Sequence, residues 1–128
     1  MIKVIIYEDD FAFRETLSVL IAGTDGYELK GAFENCNNIA EHLKKFKPDV
    51  IMMDINMPGV DGLEGLKIMR GYDSNINVIM LTIFDDDEKI FQAICNGANG
   101  YLLKKTAPSK ILESIQEVYN GGAPITSS

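Results

Sequence analysis

Apolar residues along this chain fall into two kinds of pattern that take turns. Short β-rich runs occupy 3–7 (KVIIY), 49–53 (DVIMM), 76–81 (INVIML) and 99–103 (NGYLL), each nearly continuous and too short for a buried helix. The run 27–33 (YELKGAF) alternates instead, as an edge strand does. Between these runs the spacing turns helical. Phe13, Leu17, Leu20 and Ile21 share one face ahead of Gly23, which stops that helix. Ile39, Leu43 and Phe46 share another, with Asn37 or Asn38 placed to cap it and Pro48 beyond its end. Leu63, Leu66 and Met69 mark a third helix, and Ile90, Phe91 and Ile94 a fourth. Ile111, Leu112, Ile115 and Val118 form the buried face of a fifth, which opens at Pro108 and ends at Gly121-Gly122.

Five strand–helix units in strict alternation predict an α/β fold. Strands that are apolar throughout are buried on both faces, so the sheet is parallel with helices on both sides. Right-handed crossovers then give a doubly wound five-stranded parallel sheet. In the flavodoxin-like strand order, 2-1-3-4-5, the first and third strands flank the point where the order reverses. Ligands gather there, at the carboxyl ends of the strands. The stretch 56–62 (NMPGVDG) is a loop.

That edge carries acid. The first strand ends in Glu8-Asp9-Asp10 and the third in Asp54. Two carboxylates about 5 Å apart repel by roughly 3 kcal/mol at an effective dielectric near 20. Three together call for a counterion or a raised pKa. Mg²⁺ answers this: it takes oxygen ligands, keeps several waters and shares sites with phosphate. The acidic triplet alone also reads as a solvated cap of the next helix. Asp54 tips the balance, because Asp seldom closes a buried strand without a task. Thr82 and Lys104 end the fourth and fifth strands, where a hydroxyl and an ammonium could bind phosphoryl oxygens. Singly they read as a helix-capping hydroxyl and a surface lysine. Their joint placement is the signal.

The motifs IIYEDD, DVIMMDINMPGVDGLE, VIMLT and GANGYLLKK together resemble the receiver domains of two-component response regulators, whose order of strands is also called CheY-like. The resemblance runs from Ile2 to about Gly122. It implies a phosphoacceptor at Asp54 and Mg²⁺ held by Glu8, Asp9, Asp54 and the backbone carbonyl of Asn56. It implies switch roles for Thr82, Lys104 and Tyr101, the last otherwise a half-buried strand tyrosine. It implies a sensor histidine kinase as donor and a homodimer formed on phosphorylation. The YLLKK ending without a following proline resembles the LuxR-type subfamily, which carries a C-terminal helix-turn-helix DNA-binding domain. On that reading 1–122 is the receiver domain and 123–128 the start of a linker, DNA being reached only through a domain outside this chain. Glu8 departs from the commoner Asp. Asp10 stands where the subfamily often has His, and is expected to be peripheral. Asn56 and Phe84 are where the phosphoryl lifetime would be tuned.

Composition narrows the field further. The 128 residues suit one domain, and a formal charge of −7 disfavours direct contact with a phosphate backbone. Cys36 and Cys95 match no metal-ligand spacing and read as free thiols. The apolar start is too short for a secretory signal, and no run approaches a membrane span, so a cytoplasmic protein without membrane contact is expected. His42 lies off its helix's apolar face and is expected in solvent. Asp85-Asp86-Asp87-Glu88 reads as a helix start. A phosphatase with an aspartyl nucleophile would want a second acid at position 56, where Asn56 stands. A flavin binder would want a Ser/Thr- and Gly-rich loop after the first strand, and an inert interaction module would show no response to Mg²⁺.

Overall fold

The computed structural model describes residues 1–73, 75–83 and 87–122, so Phe84, Asp85, Asp86 and the expected linker 123–128 lie outside the described residues. The chain runs β1 (Ile2–Tyr7), α1 (Phe11–Ala22), β2 (Tyr27–Phe33), α2 (Ile39–Phe46), β3 (Val50–Asp54), α3 (Gly62–Tyr72), β4 (Asn77–Thr82), α4 (Asp87–Cys95), β5 (Gly100–Leu103) and α5 (Pro108–Tyr119). The strands form one sheet in the order β2-β1-β3-β4-β5, every neighbouring pair parallel.

Strand alternation splits the core in two. Ile5, Tyr7, Ile51, Met53, Val78, Met80 and Tyr101 point to the face covered by α2, α3 and α4, against Leu43, Leu66 and Ile90. Val4, Ile6, Val50, Met52, Ile79, Leu81 and Leu102 point to the face covered by α1 and α5, against Leu17, Ile21, Ile115 and Val118. Burial on both faces is why these strands read as unbroken apolar runs. Such side chains each contribute roughly 1.5–3 kcal/mol by leaving water.

Helix ends follow local chemistry. Asp10 Oδ1 accepts from Phe13 N–H and opens α1, and Asp61 Oδ1 accepts from Glu64 N–H and opens α3. Asn38 occupies the capping position of α2 without a side-chain bond. Asn37 serves elsewhere, its Oδ1 accepting from Val60 N–H in the loop after β3. Arg70, near the end of α3, donates to the carbonyls of Gly97 and Ile76 and to Asn99 Oδ1, tying the α4–β5 connection to the foot of the sheet. No helix among the described residues is long and apolar enough to cross a membrane.

Four expectations change. Leu112 is half-buried rather than core, and its carbonyl accepts from the Tyr27 hydroxyl. Phe91 and Ile94 face outward at 67% and 45% exposure, the inner face of α4 being Ile90 and Ala93. Tyr101 is buried, 7% exposed, rather than half-buried. His42 is half-buried rather than free in solvent: its Nδ1 lies 2.9 Å from the Tyr7 hydroxyl, and its ring stacks on Phe33 at 3.7 Å between centroids. Burial lowers its pKa, consistent with a neutral ring accepting the tyrosine proton.

The junction of β3 and α3 is crowded. A Cβ on Gly62 would lie 2.0 Å from the Asp54 carbonyl oxygen and 2.8 Å from Ile55 Cα, both backbone atoms that cannot turn aside. A Cβ on Gly71, in the same helix, would meet nothing within 4 Å among the described residues. Gly62→Ala should therefore cost about 3 kcal/mol or more, whereas Gly71→Ala should stabilise by about 0.5–1 kcal/mol. Urea unfolding of both variants checks this; similar midpoints would contradict it.

Candidate functional site

Register brings the predicted residues to one edge. Asp54 closes β3 opposite Leu81 of β4, Glu8 follows the last residue of β1, and Lys104 follows the last residue of β5. Strand pairing extends into the site, because Lys104 N–H donates to the Thr82 carbonyl at 2.8 Å and Ile55 N–H to the Leu81 carbonyl at 3.0 Å. The site is therefore an outgrowth of the ladder, held by backbone hydrogen bonds rather than by a mobile loop.

One ligand oxygen from each of Glu8, Asp9 and Asp54 lies within 4.8 Å of the others. Glu8 is fully buried, Asp54 is 4% exposed, and Asp9 is exposed. Lys104 Nζ bridges the two buried acids, 2.8 Å from Glu8 Oε2 and 3.2 Å from Asp54 Oδ2. It also lies over the Phe13 ring, 5.3 Å from its centre, where the ring's face attracts a cation. Glu8 Oε2 takes a further bond from Asp10 N–H at 3.0 Å, and Arg14 Nη1 donates to the Glu8 carbonyl at 2.7 Å. Glu8 Oε1, by contrast, is buried with no hydrogen-bonding partner among the described residues. A buried carboxylate oxygen left without a donor costs free energy.

Electrostatics register the crowding. Burial, the Glu8 charge and the hydrogen bond to Asp9 push the Asp54 carboxyl up to about 7 against the pull of Lys104. Burial also acts upward on Asp9, but hydrogen bonds to Asp54 and Glu8 outweigh it and leave that carboxyl below its ordinary range. The opposite directions of the Asp9 and Asp54 shifts reflect two carboxyls competing for charge in one crowded site. Burial alone would lower Lys104, but its bonds to Glu8 and Asp54 raise it, so it stays cationic.

Three carboxylates with no sulfur among them, one of which also carries a buried oxygen without a hydrogen-bonding partner among the described residues, fit a hard dication such as Mg²⁺. The pocket above them is lined by Asp9, Asp10, Asp54, Asn56, Ile83 and Lys104. Asn56 N–H donates to Asp54 Oδ1 at 3.3 Å, which sets the loop close to the acid. Thr82, 3% exposed, closes β4 at the same edge, while Tyr101 lies deeper, paired with Met80 inside the α4-side core. Asp10 does more than its peripheral assignment implied, capping α1, bonding Glu8 and lining the pocket. Sequence reasoning missed Phe13 and Arg14 as supports, because both carry ordinary helical signals. It also missed Lys89, whose Nζ donates to Asn56 Oδ1.

The family model of the response regulator receiver domain matches residues 4–116. The transcriptional regulatory protein DegU of Brevibacillus brevis is 35% identical over 124 residues, which cover 97% of this chain and 52% of that protein. The chemotaxis protein CheY of Thermotoga maritima is 30% identical over 91% of this chain and 97% of its own length. Among solved structures, a DNA-binding response regulator of the LuxR family from Staphylococcus aureus superimposes with a TM-score of 0.87 at 30% identity, covering 94% of this chain and all of that one. The chain spans about half the length of the transcriptional regulators it matches. With model, relatives and fold in agreement, the chain belongs to the response regulator receiver domain family, and its relatives include LuxR-type response regulators.

Proposed function

We propose that this chain is the phosphoacceptor of a two-component system, taking a phosphoryl group on Asp54 from the phosphohistidine of a sensor histidine kinase. The observation that carries the reading is Lys104 bridging buried Glu8 and Asp54, beside a Glu8 oxygen that has no donor among the described residues. Glu8, Asp9, Asp54 and the Asn56 carbonyl would hold Mg²⁺. When bound, the ion supplies charge neutralisation at the phosphoryl oxygens, the main demand of such a transfer. An Asp54 carboxylate oxygen attacks phosphorus, the P–N bond to imidazole breaks, and its electron pair leaves with the ring. Lys104, already 3.2 Å from Asp54 Oδ2, is placed to follow the negative charge onto the phosphoryl group.

The response would run through Thr82 to α4. Tyr101, the second switch residue, is buried in the core against which Ile90 of α4 packs, so a change at Thr82 would reach that helix through it. The state would be read on α4, whose exposed Phe91 and Ile94 lie beside that core. By analogy with the longer relatives, residues 1–122 would act as the regulatory unit of a cytoplasmic transcription regulator. Residues 123–128 would lead to the DNA-binding domain, and phosphorylation would favour a homodimer. The aspartyl-phosphatase alternative is weakened by Asn56, whose amide offers no acid.

Two outcomes test this. Acetyl phosphate with Mg²⁺ should add one phosphoryl mass to the chain, and Asp54→Ala should lose it; labelling retained at another residue would overturn the assignment. The second concerns pH. Asp54 holds its proton to about 7 in the folded protein, against 3.8 as its ordinary value, so the native state binds more protons than the unfolded state across that interval. Its contribution to stability is then present at low pH and lost as pH rises through about 7. Urea midpoints of the metal-free protein should carry a component that falls over this window and disappears in Asp54→Asn. Saturating Mg²⁺ should stabilise more at pH 8 than at pH 5, because the proton competes with the ion. An Mg²⁺ effect independent of pH would contradict the arrangement.

A further inference from the structure

Lys89 is the third residue of α4, and its Nζ donates to Asn56 Oδ1 at 2.5 Å. Asn56 in turn donates its main-chain N–H to Asp54 Oδ1 at 3.3 Å, while Lys104 holds Asp54 Oδ2 at 3.2 Å. The two oxygens of Asp54 are thus approached by one lysine directly and by a second lysine at one residue's remove. Asn56, Ile83 and Lys104 all line the pocket between them.

Charge gives the second lysine a task. With Mg²⁺ present, three carboxylates face the ion and Lys104, and the local charges balance. Phosphorylation turns the Asp54 carboxylate into a neutral acyl ester and adds about two negative charges. Glu8, Asp9 and the phosphoryl group then carry about four negative charges against three positive. In a pocket whose Glu8 and Asp54 are buried, an unmatched charge is poorly screened. The Asn56 amide is neutral and cannot close the gap. A lysine can, being a compact charge on a flexible stem that can shift without moving the backbone.

We propose, on the basis of the phosphoacceptor reading, that Lys89 is a second phosphoryl-binding cation. It rests on the Asn56 side chain until Asp54 is modified and then turns to the phosphoryl oxygens. That move draws the first turn of α4 toward the site, linking the charge on Asp54 to the helix that carries Phe91 and Ile94.

Beryllofluoride, a non-hydrolysable stand-in for the phosphoryl group, separates this from a purely local role. Calorimetric titration at saturating Mg²⁺ should show roughly tenfold weaker beryllofluoride binding in Lys89→Ala, the loss expected for one charge-assisted hydrogen bond. Lys89→Glu should bind more weakly still, and Lys89→Arg should recover most of the affinity. Mg²⁺ binding without beryllofluoride should hold or tighten in Lys89→Ala, because a positive charge has gone. Unchanged beryllofluoride affinity in Lys89→Ala would overturn the proposal. So would a parallel loss of Mg²⁺ and beryllofluoride binding, which would mean that Lys89 only orients Asn56. Failure of the unaltered chain to bind beryllofluoride with Mg²⁺ would sink the phosphoacceptor reading itself, and this one with it.

Discussion

The structure turns on repulsion held in check. Glu8 and Asp54 are buried at the end of a parallel sheet, beside exposed Asp9, with Lys104 as the bridging cation. A lone lysine cannot neutralise three acids, and burial beside the Glu8 charge pushes the Asp54 carboxyl up to about 7. A dication is the kind of ligand that would relieve this imbalance, since it adds positive charge and takes oxygen ligands. Everything else in the fold serves to prevent the acids from moving apart.

The means is the ladder. Backbone bonds from Ile55 to Leu81 and from Lys104 to Thr82 carry the sheet one residue past its strands, so the acids and the lysine inherit the spacing of the strands. Below them, two apolar cores clamp the sheet from both sides. Gly62 lets α3 start directly against the Asp54 carbonyl, leaving the third strand end no room to shift. Asp10 and Arg14 hold the Glu8 stretch at the start of α1.

Much of this was legible in the sequence because it is periodic or terminal. Unbroken runs such as DVIMM announce strands buried on both faces, and an acid placed directly after one must sit at the sheet's edge. What was not legible involves partners far apart in sequence. His42 lies off the apolar stripe of its helix, yet Tyr7 and Phe33 from two neighbouring strands enclose it. Phe91 and Ile94 are apolar but point outward, while Ile90 and Ala93 turn inward, a choice of face that apolarity alone does not reveal. The Lys89–Asn56 contact joins a helix to a loop 33 residues away, and neither residue carries a local signal of it. Phe13, read only as a core residue, also lies against the Lys104 ammonium.

The most direct test is to see where a dication binds. Mn²⁺, a paramagnetic substitute for Mg²⁺, broadens amide resonances steeply with distance in a ¹⁵N-labelled sample. Trace Mn²⁺ should erase the signals of residues 8–10, 54–56 and 104 first, excess Mg²⁺ should restore them, and the feet of the strands at Ile2 and Val50 should be spared. Uniform broadening, or broadening centred on another acidic stretch such as Glu113 and Glu117, would show that the three carboxylates do not form the cation site on which this account rests.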